Sequence, residues 1–229
     1  MAREGKGILY VVATPIGNLE DITLRALRVL EEVDYIACED TRVTLKLLNK
    51  YGLKKKLISY YQPRELDRLP IILQLLQEGK KVALVSDSGT PGISDPGYPL
   101  IKAAIEASIP VTPIPGPSAL TASLCASGLP LHRVLFLGFP TYKRGKLKRL
   151  LESLREEPGT MVFYLPTRRL VNFLELALEI LGNRRVVIAR ELSKVHEEFI
   201  RGKIEELIER LKGQEIKGEA TLLIEGCPE

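Results

Sequence analysis

The chain has 229 residues, 45% of them hydrophobic and 27% charged, a composition typical of a soluble globular protein that excludes the disordered, collagen-like and coiled-coil classes. At roughly 100–200 residues per domain, this length accommodates one large domain or two small ones. The 33 Lys and Arg residues against 29 Asp and Glu residues leave a net charge of +4, which is too small to indicate a nucleic-acid-binding protein by itself. Any basic surface has to be local.

Cysteine and histidine usage argues against a metal site. Cys38, Cys125 and Cys227 lie far apart, and His132 and His196 are the only histidines in the sequence. These positions do not give the ligand spacing of a zinc site, nor a disulfide framework. We predict a protein without a bound metal.

No stretch of the sequence predicts a membrane span. The longest one without a charged side chain, residues 107–132, contains five prolines, which a membrane-spanning helix does not tolerate together. The apolar run from Gly7 to Ala13 resembles part of a secretory signal but ends at Pro15, so we interpret it as a buried first strand. These features predict a cytoplasmic protein that does not bind a membrane.

In the first half of the chain, short β-rich apolar runs alternate with helical patterns. The predicted strands are residues 8–13, 34–38, 57–60, 82–86 and 110–114. Apolar side chains from Ile22 to Val33 predict the first helix, and a second helix ends at Gly52. Pro70 predicts the start of a third helix, and residues 97–108 predict a fourth. This alternation indicates crossover units and a parallel sheet.

After residue 130 the pattern changes. The predicted strands are 134–138, 160–165, 185–191, 197–202 and 219–225, and the predicted helices are 145–156, 168–181 and 203–212. Because strands 185–191 and 197–202 have no helix between them, they predict an antiparallel pair in a mixed sheet. We therefore predict two α/β domains, residues 1–130 with a mainly parallel sheet and residues 131–229 with a mixed sheet.

Three loops that follow predicted strands are rich in Gly, Pro, Ser, Thr and Asp, namely residues 13–21, 86–97 and 115–118. Small, rigid residues let the backbone approach a ligand closely, and short polar side chains orient it. The alternative is that they are turns and helix caps, with Asp21, Asp95 and Ser118 as N-caps. Three such loops at corresponding strand ends favour a binding site. The glycine patterns of dinucleotide-binding and P-loop sites are both missing from the sequence.

These motifs resemble those of the ribosomal RNA small subunit methyltransferase I family, in the tetrapyrrole-methylase superfamily. The resembling segments are Thr14 to Thr23, Cys38 to Arg42, Ser86 to Gly97, Pro115 to Ser118, Phe136 to Phe139, Ala189 to Lys194 and Gly218 to Gly226. They span nearly the whole chain. The chain departs from the family's usual pattern at Leu165 to Arg169 and at Tyr60 to Glu65, where the family has histidines.

The resemblance implies an S-adenosylmethionine-dependent enzyme, expected to be a homodimer, that 2′-O-methylates a cytidine in the decoding region of small-subunit rRNA. It implies a tetrapyrrole-methylase-like fold with the cofactor in a crevice between the two domains. The implied cofactor-binding residues are Pro15, Asp87, Gly89, Thr90, Pro91, Ile93, Pro115, Gly116, Ser118, Gly218, Glu219 and Ala220. The alternative role of Asp87 is to form a turn.

A ribose hydroxyl is a weak nucleophile, and a carboxylate that removes its proton would assist methyl transfer. Glu39 and Asp40, which follow the second predicted strand, are the candidate catalytic residues, and Asp21 and Glu191 come next. Asp40 is equally well suited to cap a helix or to pair with Arg42.

An RNA substrate requires positive surface. The predicted RNA-binding residues form two groups, one beside Tyr142 and one later in the chain: Lys143, Arg144, Lys146, Lys148 and Arg149, then Arg168 and Arg169 with Arg184 and Arg185. The alternative is a solvated basic helix.

Two other functions stay open. One is a methyltransferase of the same superfamily that acts on a tetrapyrrole or another small molecule, although Pro15 to Leu19 departs from the Gly-Pro-Gly-Asp-Pro pattern of those relatives. The other is a non-catalytic ribosome-binding factor. The sequence also leaves open whether naked rRNA or the assembled subunit is the substrate.

Overall fold

The structure is a computed structural model that describes residues 5–214 and 218–227. The chain forms two compact units, Met1–Ser118 and Ala119–Glu229. This division differs from the predicted domain boundary at residue 130 because of a helix, α5 (Ala119–Cys125), that the sequence analysis did not predict. Leu120 and Leu124 of α5 pack against buried side chains of the second unit's sheet, so the helix belongs with that unit.

In the described part of the first unit, five strands form a parallel sheet. They are β1 (Ile8–Val12), β2 (Tyr35–Cys38), β3 (Lys56–Ser59), β4 (Lys81–Val85) and β5 (Val111–Ile114). Their order across the sheet is β3-β2-β4-β1-β5. All neighbouring strands are parallel, so their carboxyl ends lie along one edge, as predicted.

Helices cover both faces of this sheet. They are α1 (Leu24–Glu32), α2 (Thr41–Lys50), α3 (Glu65–Gln77) and α4 (Tyr98–Glu106). Successive side chains of a strand point to opposite faces. Ile36 of β2 therefore packs with Leu30 of α1 and Leu48 of α2, whereas Ala37 packs with Ile72 of α3 and Leu100 of α4.

Three predictions about helix starts are wrong. The N-cap of α1 is Thr23, whose hydroxyl accepts a hydrogen bond from the Ala26 amide at 3.0 Å, and not Asp21, which ends a short 3-10 turn. The N-cap of α4 is Gly97, and not Asp95. Pro70 lies inside α3 instead of starting it. Proline removes the hydrogen bond to the carbonyl four residues earlier, and that carbonyl belongs to the exposed first turn, where water can replace the bond.

In the described part of the second unit, five strands form a mixed sheet. They are β6 (Val134–Gly138), β7 (Thr160–Pro166), β8 (Arg185–Arg190), β9 (Glu198–Lys203) and β10 (Glu219–Ile224), in the order β6-β7-β10-β8-β9. β6 and β7 are parallel, and the other neighbours are antiparallel. The predicted antiparallel pair, β8 with β9, is confirmed.

The helices α6 (Arg144–Ser153), α7 (Leu170–Leu181) and α8 (Ile204–Leu211) pack on one face of the second sheet. The core there includes Phe163 and Phe173, whose ring centroids are 5.0 Å apart. The carboxyl ends of β6 and β7 lie at one edge, together with the start of β10, because Glu219 pairs with Pro166. The end of β8 joins the same edge, since Ala220 pairs with Arg190. None of the helices in the described residues is both long and apolar enough to cross a membrane.

Candidate functional site

The loops that follow β1 and β4 are joined by a backbone bridge. The Thr14 amide donates to the Gly89 carbonyl at 2.9 Å, and the Gly89 amide donates to the Thr14 carbonyl at 3.1 Å. The two parallel strands thus give way to one antiparallel contact just beyond their ends. This contact fixes the turn of the β4 loop at Gly89.

Two buried hydroxyls reinforce this bridge. Thr14 Oγ1 donates to the Ser86 carbonyl at 2.9 Å, and Ser86 Oγ donates to the Gly89 carbonyl at 3.2 Å. Buried hydroxyls that find partners stabilise one arrangement of a loop over others. The β4 loop is therefore held by its own side chains as well as by its backbone.

The loop after β5 approaches the loops after β1 and β4 at two glycines, Gly89 and Gly116. Gly89 has φ +85°, and a Cβ built there would lie 3.5 Å from Ile16 Cγ2 and 3.9 Å from the Pro117 carbonyl oxygen. A Cβ at Gly116 would lie 3.0 Å from Ala13 Cβ. All three loops rich in small residues thus converge within the first unit, as the sequence predicts.

Asp87 connects the end of β4 to the end of β2. Its Oδ1 accepts a hydrogen bond from the Asp40 amide at 2.9 Å. β2 and β4 are neighbours, with Cys38 opposite Val85. The two carboxylates predicted as catalytic therefore emerge beside the loop predicted to bind the cofactor.

Glu39 and Asp87 are carboxylates in a partly desolvated environment. Burial, followed by the nearby charges of Asp87 and Asp40, raises the pKa of Glu39, and a hydrogen bond with the Asp87 backbone partly opposes this. Burial also raises the pKa of Asp87, against the effect of the Asp40 amide. Carboxylates that share a site in this way are suited to proton transfer.

Asp40 has a different environment. It is the N-cap of α2, since its Oδ1 accepts a hydrogen bond from the Arg42 amide at 2.8 Å. Its carboxylate also pairs with the Arg42 guanidinium, with 2.6 Å between Oδ2 and the terminal nitrogen. Hydrogen bonds from the Arg42 side chain lower the pKa of Asp40 to about 2, so the group is a weak proton acceptor. The capping and pairing roles considered for Asp40 are both present.

The other predicted cofactor-binding residues of the first unit differ in exposure. Pro15 and Pro91 are buried, and Thr90 is half-buried. Ile93 exposes 44% of its surface. Further along the chain, Pro115 and Gly116 are exposed and Ser118 is half-buried, directly before α5.

Of the predicted residues of the second unit, Gly218 directly precedes β10, and Glu219 and Ala220 are its first two residues. The Gly218 carbonyl accepts hydrogen bonds from the Thr167 amide at 2.9 Å and from its hydroxyl at 3.0 Å. Gly218 has φ +101°, and a Cβ there would collide with the carboxylate of Glu191. The glycine thus allows the β8 end and the β10 start to approach each other.

The basic group around α6 lies close to Arg168 and Arg169 of the second group. Arg168 and Arg169 follow β7 and lie at its carboxyl edge, where Arg169 Cζ is 5.2 Å from the centre of the Tyr142 ring. Lys143 directly follows this tyrosine and precedes α6, so the segment before α6 and the end of β7 meet. Of the α6 residues predicted to bind RNA, Lys148 forms an ion pair with a glutamate of α7 at 3.8 Å.

Arg184 and Arg185 do not belong with these residues, which corrects the sequence analysis. Arg184 directly precedes β8 and Arg185 is its first residue, and this start of the strand lies opposite Glu225 at the far edge of the sheet. Arg184 is buried and donates to backbone carbonyls, among them Leu181 at 3.0 Å. Arg185 Nε donates to Glu225 Oε2 at 2.8 Å. Both arginines therefore stabilise the fold at that edge.

Three contributions were missed by the sequence analysis. The hydroxyls of Thr14 and Ser86 hold the β4 loop, and their position at the ends of adjacent parallel strands was the available signal. The stacking of Arg169 on Tyr142 had no signal, because the residues are far apart in sequence.

Within residues 5–214 and 218–227, no group of three or more His, Cys, Asp or Glu side chains is arranged to hold a metal ion.

Comparison with known proteins identifies the family. A family model for Tetrapyrrole (Corrin/Porphyrin) Methylases matches residues 8–208. The chain is 50% identical over 221 residues to Ribosomal RNA small subunit methyltransferase I of Thermotoga maritima, and the match covers 96% of this chain and 99% of that protein. The chain belongs to the ribosomal RNA small subunit methyltransferase I family.

A second member of the ribosomal RNA small subunit methyltransferase I family, from Halalkalibacterium halodurans, is 47% identical over 98% of this chain and 78% of its own length. Solved structures support the fold. Uroporphyrin III C-methyl transferase from Thermus thermophilus aligns with a TM-score of 0.67 at 21% identity, over 96% of this chain and 97% of that one. A cobalt precorrin-4 methyltransferase aligns with a TM-score of 0.69 at 17% identity, over 95% and 94%. The predicted tetrapyrrole-methylase-like α/β fold is confirmed.

Proposed function

We propose that this protein is an S-adenosylmethionine-dependent methyltransferase that acts on the ribose 2′-hydroxyl of a cytidine in the decoding region of small-subunit rRNA. The observation that carries the proposal is the carboxylate pair of Glu39 and Asp87 beside three converging loops, in a chain of this family. The cytoplasmic location predicted from the sequence remains part of the proposal, and so does the homodimer that the family resemblance implies.

The residues of the first unit fit the chemistry of S-adenosylmethionine, which supplies a methyl group activated by a sulfonium charge. Asp87 offers a half-buried carboxylate to hydroxyl or ammonium groups, while its Oδ1 also accepts the Asp40 amide. Ile93 offers apolar surface to a flat ring. Gly89, with its positive φ, keeps the space between Ile16 and Pro117 free of a side chain. On the second unit, the resemblance adds Gly218, Glu219 and Ala220.

Glu39 is the better of the two candidate bases. Its pKa is raised by burial and by the neighbouring carboxylates, so it binds a proton more readily than an ordinary glutamate. Asp40 is held in the ionised form by Arg42 and caps α2. We assign proton removal from the ribose hydroxyl to Glu39, and to Asp40 the positioning of α2 and Arg42.

Incubation of the full chain with radiolabelled S-adenosylmethionine tests the proposal. We expect label in rRNA when small ribosomal subunits or naked 16S rRNA is added, and mapping should place it on a cytidine ribose. Comparing the two substrates decides which form of the RNA is recognised. A parallel reaction contains a tetrapyrrole in place of RNA. Transfer of label to the tetrapyrrole and not to rRNA would overturn the proposal. Binding to small subunits without methyl transfer to the subunits or to naked rRNA would also overturn it.

The basic residues before and on α6 are proposed to contact RNA phosphates. Replacing Lys143, Arg144 and Lys146 together by glutamine should weaken RNA binding and reduce the slope of log affinity against log salt by about 1 for each phosphate that the variant no longer neutralises. Affinity for S-adenosylmethionine should not change. Filter binding at several salt concentrations and calorimetric titration measure the two quantities.

The matched control for this triple variant removes the same charge from exposed lysines of the first unit, Lys54, Lys80 and Lys81. We expect the control to keep the parent salt slope. Equal salt slopes in the two triple variants would instead support the alternative, in which Lys143, Arg144 and Lys146 belong to a solvated helix face that does not contact RNA.

A further inference from the structure

Tyr142 and Arg169 form a stacked pair at the carboxyl edge of the second sheet. The Arg169 Cζ lies 5.2 Å from the centre of the tyrosine ring. Tyr142 remains 46% exposed in spite of this contact. A guanidinium on one face of a tyrosine restricts the orientation of the ring, so the rest of the ring is presented to solvent in a defined direction.

A second exposed ring lies on the same loop. Phe139 also has 46% of its surface exposed. Its ring centroid is 5.4 Å from that of Tyr164, which is in turn 5.1 Å from that of Phe136. Residues 139 and 142 are three positions apart, so their Cα atoms lie within roughly 11 Å of each other. The loop between β6 and α6 therefore carries two aromatic side chains. Each of them contacts another side chain of the second unit and leaves part of its surface exposed to solvent.

Positive charge surrounds this loop. Lys143, Arg144, Lys146 and Arg168 are all exposed. Among the described residues, none of these four side chains has a carboxylate within salt-bridge distance, in contrast to Lys148. Single exposed apolar side chains are common at protein surfaces and require no explanation. Two aromatic rings beside four uncompensated cations are a different case, because this surface is complementary to flat groups joined by anions.

Unpaired RNA has that chemistry. Its phosphates match the cations, and its bases stack on aromatic rings and on guanidinium planes. An acidic protein segment would match the cations but would leave the ring faces unused. A duplex would also match the cations, but its bases are stacked inside the helix and cannot reach the rings.

We propose that Tyr142 and Arg169, with Phe139 beside them, form a stacking site for unpaired bases of RNA. The inference rests on the proposed function in taking RNA as the partner. It adds that the second unit binds exposed bases, and thereby selects an unpaired stretch over a duplex with the same number of phosphates.

The test uses an unstructured RNA of about 12 nucleotides, within the usual site size of a single-strand-binding surface, and a blunt RNA duplex with equal phosphate number. We expect the parent protein to prefer the single strand. Tyr142→Leu should weaken single-strand binding roughly 5- to 150-fold, the usual effect of losing one stacked base. Tyr142→Phe should bind like the parent, and duplex binding and the salt slope should not change in either variant.

Tyr98→Leu is the matched control, because Tyr98 is 69% exposed on α4 of the first unit and should not affect RNA binding. Equal single-strand affinity of Tyr142→Leu and the parent would overturn the stacking site, and so would equal losses for single strand and duplex. Methyl transfer by the parent protein, measured in parallel, separates the two proposals. Transfer to rRNA without a stacking effect refutes only the inference, and a stacking effect without transfer refutes only the proposed activity.

Discussion

Replacing Gly89 by leucine should abolish S-adenosylmethionine binding while the chain remains folded. Gly89 has φ +85°, which L side chains rarely adopt, and a Cβ would point between Ile16 and Pro117. The Gly89 amide and carbonyl both form hydrogen bonds with the backbone of Thr14. The backbone at residue 89 therefore cannot rotate to a negative φ without breaking those hydrogen bonds. The leucine side chain would fill the space where the three loops converge. Calorimetric titration with S-adenosylmethionine measures the loss.

The control for this variant is Gly52→Leu. Gly52 also has a positive φ, +69°, but a Cβ there would meet nothing within 4 Å. Both variants carry a backbone cost of about 1–3 kcal/mol, so their melting temperatures should fall by similar amounts. Cofactor affinity should fall in Gly89→Leu alone. Normal binding by a folded Gly89→Leu protein would show that the cofactor site has been assigned to the wrong loops.

Replacing Glu39 by glutamine should lower the single-turnover rate of methyl transfer by about 10²–10⁴-fold, the usual contribution of a general base. Glutamine keeps the size of the side chain but cannot accept the hydroxyl proton. Affinities for cofactor and RNA should stay close to those of the parent, because alignment of the reacting groups does not depend on this proton. Rapid-quench measurement with enzyme in excess over RNA gives the rate.

The pH dependence of the rate gives an independent check on Glu39. A general base acts in its ionised form, and burial raises the pKa of Glu39 above its usual 4.5. The parent rate should therefore increase as pH rises through that raised pKa, and Glu39→Gln should lack this limb. If Glu39→Gln methylates RNA at the parent rate, Glu39 is not the general base, and Asp21 and Glu191 become the candidates.

Asp40→Asn separates the two acids. The pKa of Asp40 is lowered to about 2 in the folded protein, against an ordinary 3.8, so its ionised form stabilises the fold above pH 3.8 and this contribution is lost as the pH falls towards 2. An asparagine at this position would still cap α2 but would weaken the link to Arg42. We expect a lower melting temperature and an unchanged rate per folded molecule.

The sequence was sufficient to predict the strands of both sheets and the loops that converge after β1, β4 and β5. Apolar runs and small, rigid residues are local signals, and parallel strands bring the loops to one edge without further information. Helix α5 was missed because it has only seven residues between prolines. Its two inward side chains, Leu120 and Leu124, give too short a stripe for a periodic signal.

The roles of individual charged residues required the structure. Arg168 and Arg184 are similar in sequence context, but they lie at opposite edges of the second sheet because one follows β7 and the other precedes β8. Asp40 was compatible with catalysis, capping or pairing until its hydrogen bonds with Arg42 were known. Distances between residues far apart in the sequence decide such roles, and spacing alone does not provide them.

The hydrogen bond from the Asp40 amide to Asp87 has a consequence for any dissection of this site. Asp87, which we propose binds the cofactor, also orients the backbone that directly follows Glu39, the proposed base. We therefore expect substitutions at residues 39 and 87 to be thermodynamically coupled, with free-energy effects that do not add. A double-mutant cycle between the two positions would report an interaction energy instead of two separate contributions. A loss of activity in a single Asp87 variant therefore combines two effects, one on cofactor affinity and one on proton transfer.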